Sequence, residues 1–312
     1  MKSFTITDID QSQIIQNSYD ICFFASGFEP RATASCKAYQ LHGKKIILYY
    51  ELEPETGCQI AKENISYFKT VSEDIICIKS TDDYYLSQKI IEVINTIDAN
   101  CLKVFVDYTS MSTTWYSTIF YILFNLGIHC EIDFSYTIGK HQEDFPPIPI
   151  NDIVPLPGFS AVQSDFSYTS TVIMGLGFNS AVAEAIYDHM EPDELFTYIA
   201  NPGAFENYAK RANDVNNHLI STYSNDHFDL PLRSVENSYR ILAELVNYLS
   251  TQNKTISFVS LGPKPQRLTA MLICSTFTNA SYLKTLGPAN TNNFPEAIGE
   301  YVLTRVSNRK SC

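Results

Sequence analysis

Apolar runs and amphipathic segments alternate along most of the chain. The apolar runs of the first half are DICFFAS, KKIILYY, DIICIKS, CLKVFVD and HCEIDFSYT, and those of the second are STVIMGLG, DELFTYIA, HFDL, TISFVSLG and ASYLKTL. Segments with helical spacing separate them. This alternation predicts parallel sheets covered by helices on both faces. We therefore expect an α/β fold with two Rossmann-like units of mainly parallel sheet.

The two halves also follow the same order. Gly27-Phe28-Glu29 comes directly after the first apolar run, and Gly177-Phe178-Asn179 takes the same place in the second half. The interval from Asn64 to Asp107 equals the interval from Asn217 to Ser260. Recurrence of similar residues at the same spacing indicates a repeated unit. We interpret the chain as an internal duplication.

The domain boundaries follow from composition. Residues 1–140 form the first predicted unit, and residues 171–312 the second. The segment between them, 141–170, is rich in proline, which favours extended backbone and suits a linker or strap. The end of the chain carries FPEAIGEYVLTRV, which predicts a helical tail capping the second unit.

Charge and composition narrow the function. The 312 residues carry a formal net charge of −12, which disfavours duplex nucleic acid as a partner of the general surface but leaves a small nucleotide open. The N-terminal segment has no apolar leader, and no apolar stretch predicts a membrane span. Eight cysteines without a CxxC pair and six histidines without metal spacing predict no metal site and no cofactor. A cytoplasmic protein is expected.

Candidate ligand contacts of the first half lie where strands end. In open α/β sheets, ligands bind outside the carboxyl ends of the strands, where helix N-termini present N–H groups. The group after the first strand consists of Gly27, Phe28, Glu29 and Arg31. The group at the end of the strand CLKVFVD consists of Asp107, Thr109 and Ser110. Carboxylates and hydroxyls suit sugar hydroxyls, and the guanidinium suits a phosphate.

The second half offers a different set at the same places. Gly177 and Asn179 follow its first strand, and Gly262 and Lys264 lie in the loop SLGPKPQR. The loop lacks the GxxxxGK[ST] spacing of a P-loop, but its glycine and lysine suit an anionic group. If the halves pack face to face, all four loops line one cleft.

Each candidate also has a structural interpretation. Gly27 and Gly177 are explained equally well by a tight strand-to-helix turn as by a ligand contact. Glu29 and Arg31 could pair with each other on a solvated loop. Thr109 and Ser110 are residue types that cap helices.

The strand–DYTSMS–helix arrangement at residues 107–112 resembles the corresponding loop of CARF domains, and two such units in one chain resemble tandem SAVED domains. These families sense cyclic or linear oligonucleotides in bacterial antiviral defence and switch on an effector. The resemblance implies a nucleotide signal and, because no effector module is visible in the sequence, a partner effector protein. The loop departs from the family pattern, with Ser110 and Met111 where paired glycines are common.

Three functions stay open at this point. In the first, a regulator binds a small nucleotide or short oligonucleotide in the cleft; Glu29, Asp107, Thr109 and Ser110 hold sugar or base, and Arg31 and Lys264 hold phosphate. In the second, a nucleotide hydrolase or glycosidase uses Asp107 or Glu29 as acid–base or nucleophile. In the third, the chain is a non-catalytic subunit of an assembly. A homo-oligomer is compatible with each.

Overall fold

The computed structural model describes residues 4–51, 59–79, 83–97, 101–141, 150–161, 170–287 and 295–308. The chain divides into two units, and within the described residues one holds 4–141 with 295–308 and the other 150–287. Each unit has its own sheet with parallel strands at its centre. The predicted α/β class with two Rossmann-like units is confirmed.

The first unit is built on a seven-stranded sheet. Its strands are β1 (Phe4–Asp8), β2 (Ile21–Ser26), β3 (Lys44–Tyr50), β4 (Ile75–Ile78), β5 (Cys101–Asp107), β6 (His129–Lys140) and, from the end of the chain, β13 (Glu296–Asn308). Its helices are α1 (Gln11–Ile15), α2 (Ala34–Tyr39), which follows a 3-10 turn at Pro30–Thr33, α3 (Gln59–Val71), α4 (Asp83–Ile94) and α5 (Thr113–Asn125).

The second unit is built on a six-stranded sheet. Its strands are β7 (Asp152–Pro155), β8 (Ser170–Gly175), β9 (Glu194–Ala200), β10 (Asp226–Leu230), β11 (Thr255–Ser260) and β12 (Ala280–Leu286). Its helices are α6 (Ser180–Met190), α7 (Glu206–Val215), α8 (Asn217–Tyr223), α9 (Val235–Thr251) and α10 (Lys264–Thr276).

Strand order is the same in the parallel centres of the two sheets. The first sheet runs β6-β5-β2-β3-β4, and the second runs β12-β11-β8-β9-β10. Corresponding strands therefore occupy corresponding places, and β2 and β8 are each central. This agreement supports internal duplication, which stays a hypothesis about the origin of the chain.

The central strand β2 of the first sheet is buried along its whole length. Every residue of β2, ICFFAS, is buried, as expected for a parallel strand covered on both faces. Aromatic side chains fill the core of the first unit. The ring of Phe24 lies 5.9 Å from Phe68 and 5.8 Å from Phe105, measured between ring centroids.

The predicted helical tail is wrong, because residues 296–308 form strand β13 in the first sheet. β13 pairs antiparallel with β6 on one side and β1 on the other. Its β-branched residues Val302, Thr304 and Val306 favour a strand, and the open edge of β6 supplies hydrogen-bond partners. Strand β1, FTITD, was also missed.

Part of the predicted linker is packed structure. Strand β7 lies within residues 141–170 and pairs antiparallel with β12. Leu156 and Phe159 next to it are buried. Residues 142–149 and 162–169 lie outside the described residues. None of the described helices is long and apolar enough to cross a membrane.

Candidate functional site

Two loops meet at the carboxyl edge of the first sheet, one after β2 and one after β5. A Cβ added to Gly27 would lie 2.9 Å from the Cβ of Ser110. Side chains do not tolerate so short a contact, so the close approach of the loops requires glycine at residue 27. Two residues selected from sequence, Gly27 and Ser110, are therefore neighbours in space.

Asn64 on α3 holds the loop after β2. Its buried side chain donates from Nδ2 to the carbonyl oxygens of Gly27 and Glu29, at 2.9 Å each. These bonds give the carbonyl of Gly27 a donor and add a second donor to the carbonyl of Glu29, which also accepts from the N–H of Ala32 at 3.0 Å. The structure thus gives Asn64 a positioning role for the loop.

Glu29 and Arg31 pair with each other, at 2.6 Å between Oε2 and Nε. The guanidinium of Arg31 is only 3% exposed, and its Nη1 also donates to the hydroxyl of Tyr136 at 3.0 Å and to the carbonyl of Thr137 at 2.8 Å. Burial disfavours the charged form, but Tyr136 and Glu29 outweigh it and raise the pKa of Arg31. Arg31 is engaged by the protein itself, and its contact with phosphate stays a prediction.

Asp107 is a buried carboxylate with partners on both oxygens. Its Oδ1 accepts from the backbone N–H of Thr109 at 2.9 Å, and its Oδ2 accepts from the hydroxyl of Ser35. The hydroxyl of Thr109 in turn accepts from the N–H of Thr137 at 2.9 Å. Asp107 and Thr109, which were selected as ligand contacts, therefore also fix the shape of the loop after β5.

An aromatic stack lies beside these loops. The ring of Phe28 stacks on Tyr50 at 5.9 Å, and Tyr50 stacks on Trp115 at 4.0 Å between centroids. The hydroxyl of Tyr50 donates to the carbonyl of Ser110 at 3.1 Å. Burial raises the pKa of Tyr50, so this hydroxyl keeps its proton. Phe28 is half-buried and ends the described stack, and its ligand contact stays a prediction.

Two buried hydroxyls at this edge have no hydrogen-bond partner among the described residues. They are Oγ of Ser110 and Oγ1 of Thr137. Leaving such a group unpaired costs about 1–3 kcal/mol, which a ligand or water reaching it would recover. Ser110 therefore has an unused donor and acceptor close to Gly27.

The second unit repeats this construction after β8 and β11. A Cβ on Gly177 would lie 2.5 Å from the carbonyl oxygen of Leu261, and one on Gly262 would lie 3.3 Å from the carbonyl oxygen of Leu176. The two loops interlock backbone to backbone. Gly177 and Gly262, both selected from sequence, are brought together.

Asn216, between α7 and α8, is the counterpart of Asn64. It is fully buried and donates to the carbonyl oxygens of Gly177 at 2.8 Å and Ala212 at 2.7 Å. Asn217, the counterpart predicted from spacing, is exposed at the start of α8. The predicted correspondence is wrong by one residue.

Positive groups gather at the start of α10. Lys264 is its first residue, where the positive end of the helix dipole attracts anions. Arg267 donates from Nε to the carbonyl of Gly262 at 3.0 Å, which ties the loop to the helix. Asn179 caps α6 by accepting from the N–H of Val182 at 3.3 Å, and its ligand contact stays a prediction.

The aromatic residue after Gly177 has a different neighbour from Phe28. The guanidinium carbon of Arg211 lies 4.7 Å from the ring centroid of Phe178, a cation–π arrangement. Sequence reasoning missed Arg211, because an arginine within an amphipathic helix usually belongs to a solvated face.

Gln266 was also missed. Its side chain is 1% exposed, and neither atom of its amide has a hydrogen-bond partner among the described residues. Its Oε1 lies 2.3 Å from where a Cβ of Gly262 would be. In the described part of the chain, no group of three or more His, Cys, Asp or Glu is arranged to hold a metal ion.

No protein-family profile and no curated protein sequence matches the chain. Its fold is similar to the solved structure of a type III CRISPR defence DNA nuclease activated by cyclic oligoadenylate, with a TM-score of 0.52 and 9% identity. The match covers 86% of this chain and 66% of the nuclease chain, so this chain spans just under two thirds of that length. At this identity the likeness concerns the fold, and at that level it confirms the resemblance predicted from sequence.

A second solved structure also matches, the cytoplasmic domain of a prokaryotic cation chloride cotransporter. That match covers 87% of this chain and 96% of the other, with 9% identity and a TM-score of 0.25. At that score the likeness supports no conclusion.

Proposed function

We propose that this chain is a cytoplasmic nucleotide-sensing regulator. It binds a small nucleotide or short oligonucleotide at the carboxyl-edge loops of its sheets and passes the signal to a partner effector protein. The observation that carries the proposal is the shared construction of the two edges. In each, a glycine loop is held by a buried asparagine against a second loop that begins a helix, the place where open α/β sheets bind ligands.

The similar nuclease supplies the first ligand to test. It is activated by cyclic oligoadenylate, and an oligoadenylate presents the anionic phosphates, sugar hydroxyls and flat bases that the edges suit. Lys264 lies where a phosphate gains from the helix N-terminus. Ser110 offers a buried hydroxyl with unused hydrogen-bonding capacity, and Phe28 offers a ring surface.

Among the alternatives, catalysis by Asp107 or Glu29 is less well supported. Asp107 accepts hydrogen bonds on both oxygens and is 2% exposed, while Glu29 is paired with Arg31. A general base needs an oxygen that can reach the substrate proton. These carboxylates instead support the loops, which is what a binding protein requires.

Isothermal titration calorimetry with cyclic oligoadenylates of several ring sizes tests the proposal. We expect wild-type protein to bind one of them, and Lys264→Ala to weaken Kd by about 10- to 100-fold, because a charge-assisted contact is lost. Lys210→Ala is the matched control, since Lys210 is 77% exposed on α7 and should leave Kd unchanged. Absence of binding by every ring size would contradict the proposal.

A further inference from the structure

The side chain of Gln266 lacks the hydrogen bond that a glutamine at the start of a helix usually makes. It is the third residue of α10, and Pro263 is the residue that precedes the helix as its N-cap. A glutamine at this position commonly accepts from the N-cap backbone N–H. Proline has no N–H, so the sequence GPKPQ removes that partner.

The same chain shows the usual arrangement elsewhere. Gln13 is the third residue of α1, and its Oε1 accepts from the N–H of the N-cap Asp10 at 2.9 Å. Gln13 is exposed, whereas Gln266 is 1% exposed and both of its amide atoms lack a partner among the described residues. Two glutamines in the same helical position therefore differ in whether the fold uses their amide.

The amide of Gln266 lies directly against the loop after β11. Its Oε1 occupies the space that a Cβ of Gly262 would enter, at 2.3 Å from that point. Lys264 lies two residues before it and Arg267 directly after it, and the N-terminus of a 13-residue helix adds a positive dipole end. The unused amide is thus next to a position suited to a phosphate group.

We infer that Gln266 is a specificity-determining residue that reads an adenine base of the ligand, an inference that rests on the proposed function. A carboxamide presents one donor and one acceptor side by side, which match N7 and the N6 amino group of adenine. Guanine presents two acceptors on that edge, so it cannot satisfy both amide atoms. Because the amide is 1% exposed and lies against Gly262, the base reaches it when the loop at Gly262 moves.

Thermal unfolding of Gln266→Met and of the control Gln13→Met tests the inference. Without ligand, Gln266→Met should melt at the same temperature as wild type or about 2 °C or more above it, because methionine removes a buried amide that has no partner. Gln13→Met should not melt higher, because it loses a hydrogen bond. A Gln266→Met variant that melts lower than wild type or fails to fold would overturn the inference, since the amide would then be structural.

The second measurement is the affinity of each variant for a cyclic oligoadenylate and for cyclic di-guanylate. Wild type and Gln13→Met should prefer the adenylate, and Gln266→Met should bind it about 10- to 100-fold more weakly. Equal affinity of Gln266→Met and wild type would overturn the role of Gln266 and leave the proposed function intact. If the wild-type protein binds cyclic di-guanylate as tightly as the cyclic oligoadenylate, the inference that Gln266 selects adenine is overturned. Binding of neither ring would overturn the proposed function, and this inference with it.

Discussion

At the scale of single residues, two buried asparagines show what can and cannot be predicted from the sequence. In the sequence, Asn64 served only to compare the spacing of the two halves, whereas in the structure it holds the Gly27 loop as a positioning residue. Its counterpart was predicted one residue late, because equal spacing favoured Asn217 over Asn216. The break between α7 and α8 falls at Asn216 and turns its side chain inward, and such a break has no strong sequence signal.

Replacing either buried asparagine should destabilise the protein. We expect Asn64→Ala and Asn216→Ala each to lower the free energy of unfolding by about 1–3 kcal/mol, because buried loop carbonyls lose their donor. The exposed Asn217→Ala should change it by no more than about 0.5 kcal/mol. Urea unfolding followed by circular dichroism measures all three. An equal loss of unfolding free energy in Asn217→Ala would contradict the assignment of Asn216, rather than Asn217, as the counterpart of Asn64.

Gly27 should tolerate alanine only when Ser110 is made smaller. Gly27→Ala places a Cβ 2.9 Å from the Cβ of Ser110, and we expect a loss of about 1–3 kcal/mol from this overpacking. Ser110→Gly removes the opposing Cβ, so the double variant should recover part of that loss. Trp115, the single tryptophan, is buried beside the loop, and its fluorescence reports unfolding of the first unit. Additive losses would contradict the close contact.

At the scale of elements, parallel strands were predicted well and antiparallel additions were not. The strand β2 is an almost continuous apolar run, and β5 is apolar apart from Lys103 and its last residue Asp107, so both can be recognised from sequence alone. The tail strand β13 mixes charged and apolar residues, and its partner β6 is distant in sequence. Pairing between distant segments is decided by the open edge of a sheet, which a local pattern does not contain.

An ion pair attaches β13 to β6. Arg305 donates from Nε and Nη2 to the two carboxylate oxygens of Asp133 at 2.7 and 2.8 Å, and Tyr19 donates to the same group at 2.7 Å. Asp133 is fully buried and Arg305 is 22% exposed. The pair therefore lies where loss of one partner leaves a buried charge.

We expect Arg305→Ala to lower the free energy of unfolding by about 2–4 kcal/mol, because Asp133 is left without its cation. Arg240→Ala is the control, since its pair with Glu244 is exposed and worth little. Urea unfolding followed by Trp115 fluorescence measures the first variant, and circular dichroism measures both. Similar small losses in the two variants would contradict a structural role for the β13 attachment.

Strand burial also predicts which cysteines react. Burial raises the pKa of Cys22 on β2 and of Cys130 on β6 to about 12, whereas Cys101 is exposed. Because the thiolate is the reactive form, alkylation of these two at pH 8 should be slower than that of Cys101 by on the order of 1,000-fold. Mass spectrometry of native protein after timed iodoacetamide treatment measures the rates. Comparable rates would contradict the burial of β2 and β6.

At the scale of the whole molecule, the sequence predicted the parallel strands at the centre of each sheet and the loops at their carboxyl edges. It predicted only part of the hydrogen bonding and ion pairing within those loops. Glycine loops after strands are visible as a pattern. The internal partners of Asp107 and Arg31 are not, because Ser35, Tyr136 and Thr137 come from other segments of the chain. Gln266 escaped notice because a glutamine early in a helix is usually a cap.

Hydrogen–deuterium exchange with and without a cyclic oligoadenylate tests the central claim, that the carboxyl-edge loops bind a nucleotide. We expect slower exchange in peptides covering residues 26–29 and 107–112 of the first unit or 175–179 and 260–266 of the second, because bound ligand protects loop N–H groups. Unchanged exchange in all four segments with a ligand shown to bind, or protection confined to other segments, would contradict the account.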